Sequence, residues 1–363
     1  MEDSSPTPPP SPKDFPMQFH GSASEYFKIW IVNLALTVLT LGIYYPWAMV
    51  RTRRYFYANT ELDSHRFDYL ADPKKMLKGY LLIYTAIILY VLGMNNIISP
   101  FIGFIVIMAL IALGPFLMAA SLRFRHHNTS YRNVRFKFLG RTSDAYAVYW
   151  GYALLTYITL GIMFPIFRLK IYEYIFDNSS LGKTPFSYKG EGGPMYTIFL
   201  SALGLMIAIA AIFMTPIIVF GIFQSGNVEE GAAATDPMFF LIMGSIYLVY
   251  FIGFAFISGF IRAKTLRYNL SVLTLGYEKD VSFKSDLNVW KFVWLNFTNI
   301  FATFFSLGLL SAWAKVRATK MVLSSISVVS QQGDLGSHES VNETDQSATG
   351  EAAVDAMDFD VGF

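Results

Sequence analysis

Residues 40–48 read TLGIYYPWA, and this stretch decides the fold because the chain repeats it. The segment 19–69 matches 138–188 without a gap, at a shift of 119 residues, and residues 159–165 of the second copy read TLGIMFP. A third, partial copy at residues 306–317 reads SLGLLSAWAKVR. Gly and Pro have special backbone requirements, so their recurrence at aligned positions predicts an internally repeated architecture.

The chain is too apolar for a soluble protein of its length. Its 363 residues are 54% hydrophobic and only 15% charged, and roughly 20 apolar residues suffice for a helix to cross a bilayer. The sequence therefore predicts a polytopic membrane protein. Five runs contain no Asp, Glu, Lys or Arg: residues 79–122, 146–167, 195–228, 238–261 and 292–314. Polar residues near Asn95 divide the first run, which predicts two spans joined by a tight turn.

Five segments follow one another along the chain. Residues 1–16 are polar and Pro-rich without an apolar core, so we expect a disordered tail and not a signal peptide. Residues 328–363 are expected to form a disordered acidic tail. Between the tails, residues 17–137 and 138–282 each contain a broken segment and an apolar hairpin, and residues 283–327 form the partial third repeat.

Each repeat combines the same local signals. Alternating aromatic residues, as in 67–69 (FDY) and 186–188 (FSY), predict short strands. An apolar stretch, a Gly/Pro break, a basic helix and an Asn-containing turn complete the unit. The expected fold class is an all-α polytopic membrane protein with internal repeats, carrying short β elements on its cytoplasmic face.

The distribution of basic residues favours one topology over another. If the three broken segments enter the bilayer and return, only the two hairpins cross, and all 28 Lys and Arg residues lie on one side. Seven simple crossings would divide the same residues almost evenly, against the usual excess of cations on the cytoplasmic side. We therefore expect four spanning helices plus three broken, re-entrant segments, with both tails cytoplasmic. Seven transmembrane helices are the alternative.

The repeat also carries a family resemblance. IWIVNLALTVLTLGIYYPWAMVRTRRYFYANTELDSHRFDY (29–69) and LGLLSAWAKVR (307–317) are similar to the YjgN-type family of bacterial inner-membrane proteins. The resemblance extends from residue 19 to about residue 327, and it implies a bacterial inner-membrane location without an assigned activity. The second copy departs from the pattern where Ile166 and Phe167 replace Trp-Ala, and the third where Ala312 replaces the Pro.

Broken segments are the arrangement that transporters use to bind ligands near the middle of the membrane. Pure packing kinks, and Asn residues that tie helices together, are the alternative. The apolar runs contain no ionisable residue that a proton pump would need. The leading hypothesis is therefore a passive channel or transporter for a small solute. Its pore or ligand-site candidates are Asn33, Gly42, Pro46, Gly161, Pro165, Asn296 and Gly308.

A non-transport membrane scaffold or anionic-lipid-binding module is the competing hypothesis. Basic clusters at segment ends favour lipid contact, because each cation near anionic headgroups contributes about 1 kcal/mol. The lipid- or anion-binding candidates are Arg51, Arg53, Arg54, Arg123, Arg125, Arg262, Lys264 and Arg267. Expected partners are membrane lipids with anionic headgroups and further copies of the chain, but not nucleic acid.

We expect no enzyme activity, catalytic residue, metal site or cofactor. The chain has no Cys, and its one histidine pair, His126-His127, points in two directions on a helix.

Overall fold

A computed structural model describes residues 11–225, 237–276 and 281–331, together with 333 and 335. The acidic loop that contains Glu229, Glu230 and Asp236, between the apolar runs 195–228 and 238–261, lies outside the described residues. So do residues 1–10 of the predicted N-terminal tail and residues 336–363 of the C-terminal one.

Helices and short strands alternate along the chain. The helices are α1 Ala23–Leu39, α2 Tyr45–Ala58, α3 Pro73–Met94, α4 Pro100–His127, α5 Thr142–Tyr146, α6 Ala153–Ile158, α7 Phe164–Asp177, α8 Gly192–Ser225, α9 Pro237–Val272, α10 Val289–Phe305 and α11 Ser311–Leu323, with a π-helical segment, Ala147–Tyr152, between α5 and α6. The strands are β1 Lys13–Pro16, β2 Gln18–Phe19, β3 Thr60–Leu62, β4 His65–Tyr69, β5 Thr129–Tyr131, β6 Val134–Phe138, β7 Ser179–Leu181, β8 Thr184–Tyr188, β9 Leu273–Leu275, β10 Val281–Ser285 and β11 Ile326–Ser330.

The strands form one antiparallel sheet that closes on itself. Their order is β1-β11-β10-β9-β8-β7-β6-β5-β4-β3-β2. The two end strands are consecutive in the chain and are separated only by Met17, whose N–H donates to the Ile326 carbonyl at 2.9 Å. Because β1 pairs with β11 and β2 pairs with β3, this N-terminal segment bridges the two ends of the sheet. We call the closed sheet the strand ring.

Tight turns place every helix at the same rim of the strand ring. Asp63 and Ser64 join β3 to β4 with φ values of 47° and 60°, and Arg132 and Asn133 join β5 to β6 with 51° and 64°. Positive φ at both central residues is typical of the type I′ turns that suit two-residue hairpins. Since a helix precedes and follows each hairpin, all helices leave from the rim opposite these turns.

Apolar side chains from strands all around the ring pack into one cluster inside it. The last residues of β3, β5, β7 and β9 are Leu62, Tyr131, Leu181 and Leu275, and all four are buried in this cluster. A second layer lies against them, contributed by the third residues of the five-residue strands β4, β6, β8 and β10: Phe67, Phe136, Phe186 and Phe283. The ring of Phe186 stacks on Phe136 and Phe283 at centroid distances of 6.3 and 6.2 Å. We call this layer the phenylalanine layer.

The helices follow the same circular order as the strands. All extensive helix–helix contacts in the described part of the chain join neighbours in sequence, and α1 packs against α11 to complete the circle. We call this arrangement the helix ring. It stands on the strand ring, because α2, α4, α7 and α9 each pack on the second strand of the hairpin that follows them.

An asparagine joins the two rings at three equivalent places. Asn59, Asn128 and Asn178 follow the ends of α2, α4 and α7, and each side-chain amide donates to the carbonyl four residues earlier at 2.7–2.8 Å. Each Asn carbonyl then accepts an N–H from a segment that leaves the neighbouring strand, at 2.7–2.9 Å. The donors are His20, Leu70 and Leu139, respectively.

The structure corrects the predicted fold class. The predicted short strands exist, but all of them belong to one 11-stranded sheet, so the all-α assignment is wrong. Short strands scattered along the sequence gave no signal that they pair with one another. Four described helices are long and apolar enough to cross a membrane: Pro73–Met94, Pro100–His127, Gly192–Phe213 and Met243–Val272. The seven-helix alternative is not supported by the described residues.

Several strands lie at the predicted segment boundaries. β1 at Lys13–Pro16 lies within the predicted N-terminal tail, and β11 extends to Ser330 inside the predicted C-terminal tail. The boundaries at 137/138 and 282/283 fall within β6 and β10. A strand that pairs on both sides cannot belong to a separate domain, so the repeats share one sheet.

Candidate functional site

Three short helix pairs, α1–α2, α6–α7 and α10–α11, each turn back at a Leu-Gly step with nearly the same geometry. Gly42, Gly161 and Gly308 have φ values of 92°, 91° and 90°, and the Leu before each has a φ of 49–50°. Each glycine N–H donates to the carbonyl of a Thr five residues earlier, at 2.7–2.8 Å. Glycine is needed at this position because L side chains rarely adopt such φ values. We call these steps the glycine turns.

The glycine turns lie at the helix-pair tips, far from the strand ring. The leucines before them are among the most exposed apolar residues of the described chain, with Leu160 93% and Leu307 95% exposed. A Cβ added to Gly161 or Gly308 would meet no atom within 4 Å. At Gly42 the same Cβ would approach the Tyr80 hydroxyl to 3.3 Å, because α3 packs against this pair. Pro46 and Pro165 lie in the first turns of α2 and α7, where proline lacks only an N–H that the helix does not use.

The two predicted asparagines lie in helix contacts. Asn33 is buried in α1 and its Nδ2 donates to the Ala48 carbonyl of α2 at 3.2 Å. Asn296 in α10 donates to the Ala255 carbonyl and Ser258 Oγ of α9, at 2.7 and 3.0 Å. The predicted pore residues therefore occupy separate helix contacts and tips, and the structure does not bring them together into one pocket.

The residue equivalent to Asn33 is Asn299, which the sequence reasoning missed. Its Nδ2 donates to the Ala314 carbonyl of α11 at 3.1 Å, across the same 15-residue separation as in the first pair. The shift of 266 residues that aligns Gly308 with Gly42 also aligns Asn299 with Asn33. In the second pair that position is Tyr152, at the end of the π-helical segment.

The basic residues of the helices form a belt beside the strand ring. In the described chain, every helical Lys and Arg lies within 11 residues of a strand, or about 16 Å at 1.5 Å per residue. We call this zone the cation belt. Beyond Arg123, its basic residue farthest from the strand ring, α4 continues for about 34 Å, enough to cross a hydrocarbon layer of about 30 Å. Beyond Lys28, α1 continues for only about 16 Å. The re-entrant placement of the short pairs stays a prediction.

Some predicted lipid-binding arginines make hydrogen bonds that hold the two rings together. Arg54 donates to the carbonyls of Tyr69 and Ala71, at 3.2 and 2.8 Å, and Arg53 donates to the Tyr69 hydroxyl at 2.9 Å. Burial raises the pKa of Tyr69, so this hydroxyl stays neutral beside the guanidinium. These bonds fix the loop between β4 and α3 against α2.

Arg123 has the corresponding role at the next hairpin of the chain. Its Nη2 donates to the Gly140 carbonyl at 2.7 Å and to Thr142 Oγ1 at 3.1 Å. Arg125 is partly buried next to it on α4 and also interacts with other groups. Two of the five N–H groups of the Arg123 guanidinium are therefore used to hold the segment after β6.

Other predicted cations face outward. Arg51 on α2 and Arg262, Lys264 and Arg267 on α9 are all exposed. Lys264 lies over the Phe260 ring at 5.8 Å. Together with Arg54, these four residues are the exposed members of the predicted cation set. Exposed Trp290 and Trp294 lie on the neighbouring α10, as expected for a helix at a membrane boundary.

Comparison with known proteins gives the family. The model of a family described as "Bacterial protein of unknown function (DUF898)" matches residues 14–356. The chain belongs to this family. The matched range includes both rings, so the double-ring fold of this DUF898 member extends over the region that defines the family.

Relatives of this DUF898 chain carry a location in their names. "Inner membrane protein YjgN" of Salmonella typhimurium (strain LT2) is 27% identical over 367 residues, covering 90% of each chain. The proteins of the same name from Escherichia coli O157:H7 and strain K12 are each 34% identical over 149 residues, or 40% of this chain and 36% of theirs. No solved structure matches. The predicted YjgN-type resemblance is confirmed, and the four candidate spans agree with these names.

Proposed function

We propose that the protein is a passive channel or transporter for a small solute in the bacterial inner membrane. One observation carries the proposal: a closed ring of helices stands on a closed ring of strands, in the same circular order. Each helix packs extensively only on its neighbours around the circle. The centre of the helix ring is therefore left for a solute. A path along this axis would lead from the membrane into the strand ring.

The phenylalanine layer is the barrier on this path. Its four rings and the buried cluster next to it fill the strand ring, so the arrangement corresponds to a closed state. Hydrophobic constrictions gate channels by excluding water, and small side-chain movements are enough to open them. The glycine turns at the opposite ends of the helices would allow the short pairs to shift relative to the spans.

The chemistry of the helices suggests an uncharged solute. In the described chain, the helices carry no Lys or Arg beyond the cation belt, and their buried polar groups are mostly amides and hydroxyls. A charged solute would lack compensating groups there, and transferring an unpaired charge into an apolar space is very unfavourable.

Flux measurements in liposomes test the proposal. Purified protein should speed the entry of at least one small neutral solute over protein-free liposomes, and Phe186→Ser should raise that rate by weakening the barrier. Phe104→Ser is a matched control, because Phe104 is 58% exposed on the spanning helix α4. Absence of flux for both the wild-type protein and Phe186→Ser, across a broad solute panel, would rule out transport.

A second function is favoured by a different observation. Arg51, Arg262 and Arg267 are exposed within the cation belt, the zone in which we expect anionic headgroups. We propose anionic-lipid binding as the alternative role, performed without transport. The protein should then retain phosphatidylglycerol over phosphatidylcholine after extraction into detergent. Equal retention of the two lipids would exclude this role.

A further inference from the structure

The side chains that contact Arg317 in the third helix pair differ from their counterparts in the first pair at one position. A shift of 266 residues places Asn299, Trp313, Ala314 and Arg317 on Asn33, Trp47, Ala48 and Arg51. It also places Thr298 on Val32, so the third pair has a hydroxyl where the first pair has a methyl group. This replacement decides what the arginine can bind.

In the third pair the arginine is held inside the protein. Arg317 Nη1 donates to Thr298 Oγ1 at 2.7 Å and to Asn299 Oδ1 at 3.3 Å. Its guanidinium also lies 5.0 Å from the centre of the Trp313 ring. Both Asn299 side-chain atoms thus have partners, because Nδ2 donates to the Ala314 carbonyl.

In the first pair the same set is incomplete. Asn33 Nδ2 makes the equivalent bond to the Ala48 carbonyl, but Asn33 Oδ1 is buried and accepts no hydrogen bond. Asn33 is only 5% exposed, so water from outside has little access to that oxygen. Arg51, which corresponds to Arg317, is exposed and does not donate to it.

We propose that Arg51 binds the phosphate of an anionic phospholipid headgroup, and that the missing Thr hydroxyl keeps it available to do so. Arginine matches phosphate with two parallel hydrogen bonds, and this pairing is stronger than a bond to a neutral amide oxygen. Arg51 lies in the cation belt, nine residues before β3, at the level where headgroups are expected.

The inference rests on the proposed anionic-lipid binding and assigns it to one residue. Full-length protein in detergent would be titrated with dioctanoyl phosphatidylglycerol, and bound lipids would be counted by native mass spectrometry. Arg51→Ala should weaken the tightest binding event about tenfold, as expected for a charge-assisted bond. Val32→Thr should supply the hydroxyl that Thr298 offers Arg317 in the third pair, and should therefore weaken lipid binding about threefold. Val32→Ile adds no hydroxyl and should leave lipid binding unchanged.

The third pair supplies the reverse experiment. Thr298→Val should release Arg317 and add a second phosphatidylglycerol of similar affinity, without changing the first. Circular dichroism and melting temperature would establish that each variant is folded. Since the Arg51 side chain makes no hydrogen bond or ion pair within the described chain, its replacement is not expected to unfold the protein.

The outcomes separate the inference from the function on which it rests. If the wild-type protein binds no phosphatidylglycerol, anionic-lipid binding itself fails. If binding persists in Arg51→Ala but is lost in Arg262→Ala or Arg267→Ala, lipid binding stands and the assignment to Arg51 is wrong. If inorganic phosphate displaces the lipid at equal concentration, the ligand is free phosphate and the lipid source is overturned. Unchanged binding in Val32→Thr would contradict the role of the missing hydroxyl.

Discussion

The strand ring and the helix ring follow the same circular order but are held together in different ways. The strand ring has hydrogen bonds between every pair of neighbouring strands and a buried apolar cluster inside. In the helix ring, no more than 28% of the residues in the most apolar stretch of any candidate span are buried. The strand ring is therefore stabilised by its own contacts, whereas the helix ring depends on its surroundings to cover its apolar surface.

Truncating a core side chain of the strand ring should have the largest effect on the free energy of unfolding. Leu181 is 4% exposed in the strand ring, and Leu181→Ala should lower the free energy of unfolding by about 2–5 kcal/mol because it removes buried contacts and leaves a cavity. Leu154 in α6 is 59% exposed and provides the matched control. Thermal unfolding in detergent gives the melting temperature of both variants. Equal shifts in melting temperature would show that the two rings contribute equally to stability.

Substitutions at the glycine turns test how strongly the tips of the helix ring contribute to stability. Gly161→Ala and Gly308→Ala should each destabilise the protein by about 1–2 kcal/mol, because alanine is strained at a φ near 90° even in open space. Gly42→Ala should cost slightly more, since its Cβ would also press on the Tyr80 hydroxyl. Denaturant titration of the three variants measures this order. An unaffected Gly161→Ala would show that the turn is not a fixed part of the fold.

The asparagines at the junction should give the smallest effect. Asn59→Ala, Asn128→Ala and Asn178→Ala each remove one side-chain hydrogen bond, which typically contributes about 1 kcal/mol. Because the three sites share their geometry, the three losses should be similar. Hydrogen exchange should then increase at His20, Leu70 and Leu139, respectively, whose N–H groups donate to these residues. A loss at only one site would contradict the equivalence of the three junctions.

Local features of the fold were predictable because they depend on nearby residues. The Leu-Gly step at 41–42 marked a helix break, since few residues other than Gly adopt positive φ. Alternating aromatics at Phe67 and Phe186 marked short strands, which occur at β4 and β8. The tight turn near Asn95 is present between α3 and α4, where Asn96 has a φ of 57°.

Closure of the sheet was not predictable from the same signals. It depends on pairing between residues far apart in sequence, such as Phe15 with Val328, and no local pattern specifies that distance. Three-residue strands such as Ser179–Leu181 are also too short for a convincing alternation. The strand at Lys13–Pro16 was hidden because its proline-rich neighbourhood is typical of a tail.

The sequence predicted which residues make up the candidate site, but not which of them make structural hydrogen bonds. Clusters such as Arg51/Arg53/Arg54 indicated a basic boundary, yet only the structure shows that Arg54 bonds to two carbonyls, whereas its exposed neighbour Arg51 makes no such bond. The carbonyls that accept from Arg54 belong to residues 15 and 17 positions later in the sequence, so no pattern within the cluster reveals the difference. Asn299 could have been found by extending the alignment of the third copy toward its N-terminus.

Single-cysteine labelling tests the central claim most directly, namely that both ends of every helix pair return to one strand ring on one side of the membrane. The chain has no Cys, so cysteines at exposed Ser64, Lys183 and Asn96 can be labelled one at a time with a membrane-impermeant maleimide in sealed inner-membrane vesicles. Positions 64 and 183, at two hairpin turns, should react from the cytoplasmic side, and position 96, between α3 and α4, only from the other side. Labelling of 64 and 183 from opposite sides would contradict the double-ring account.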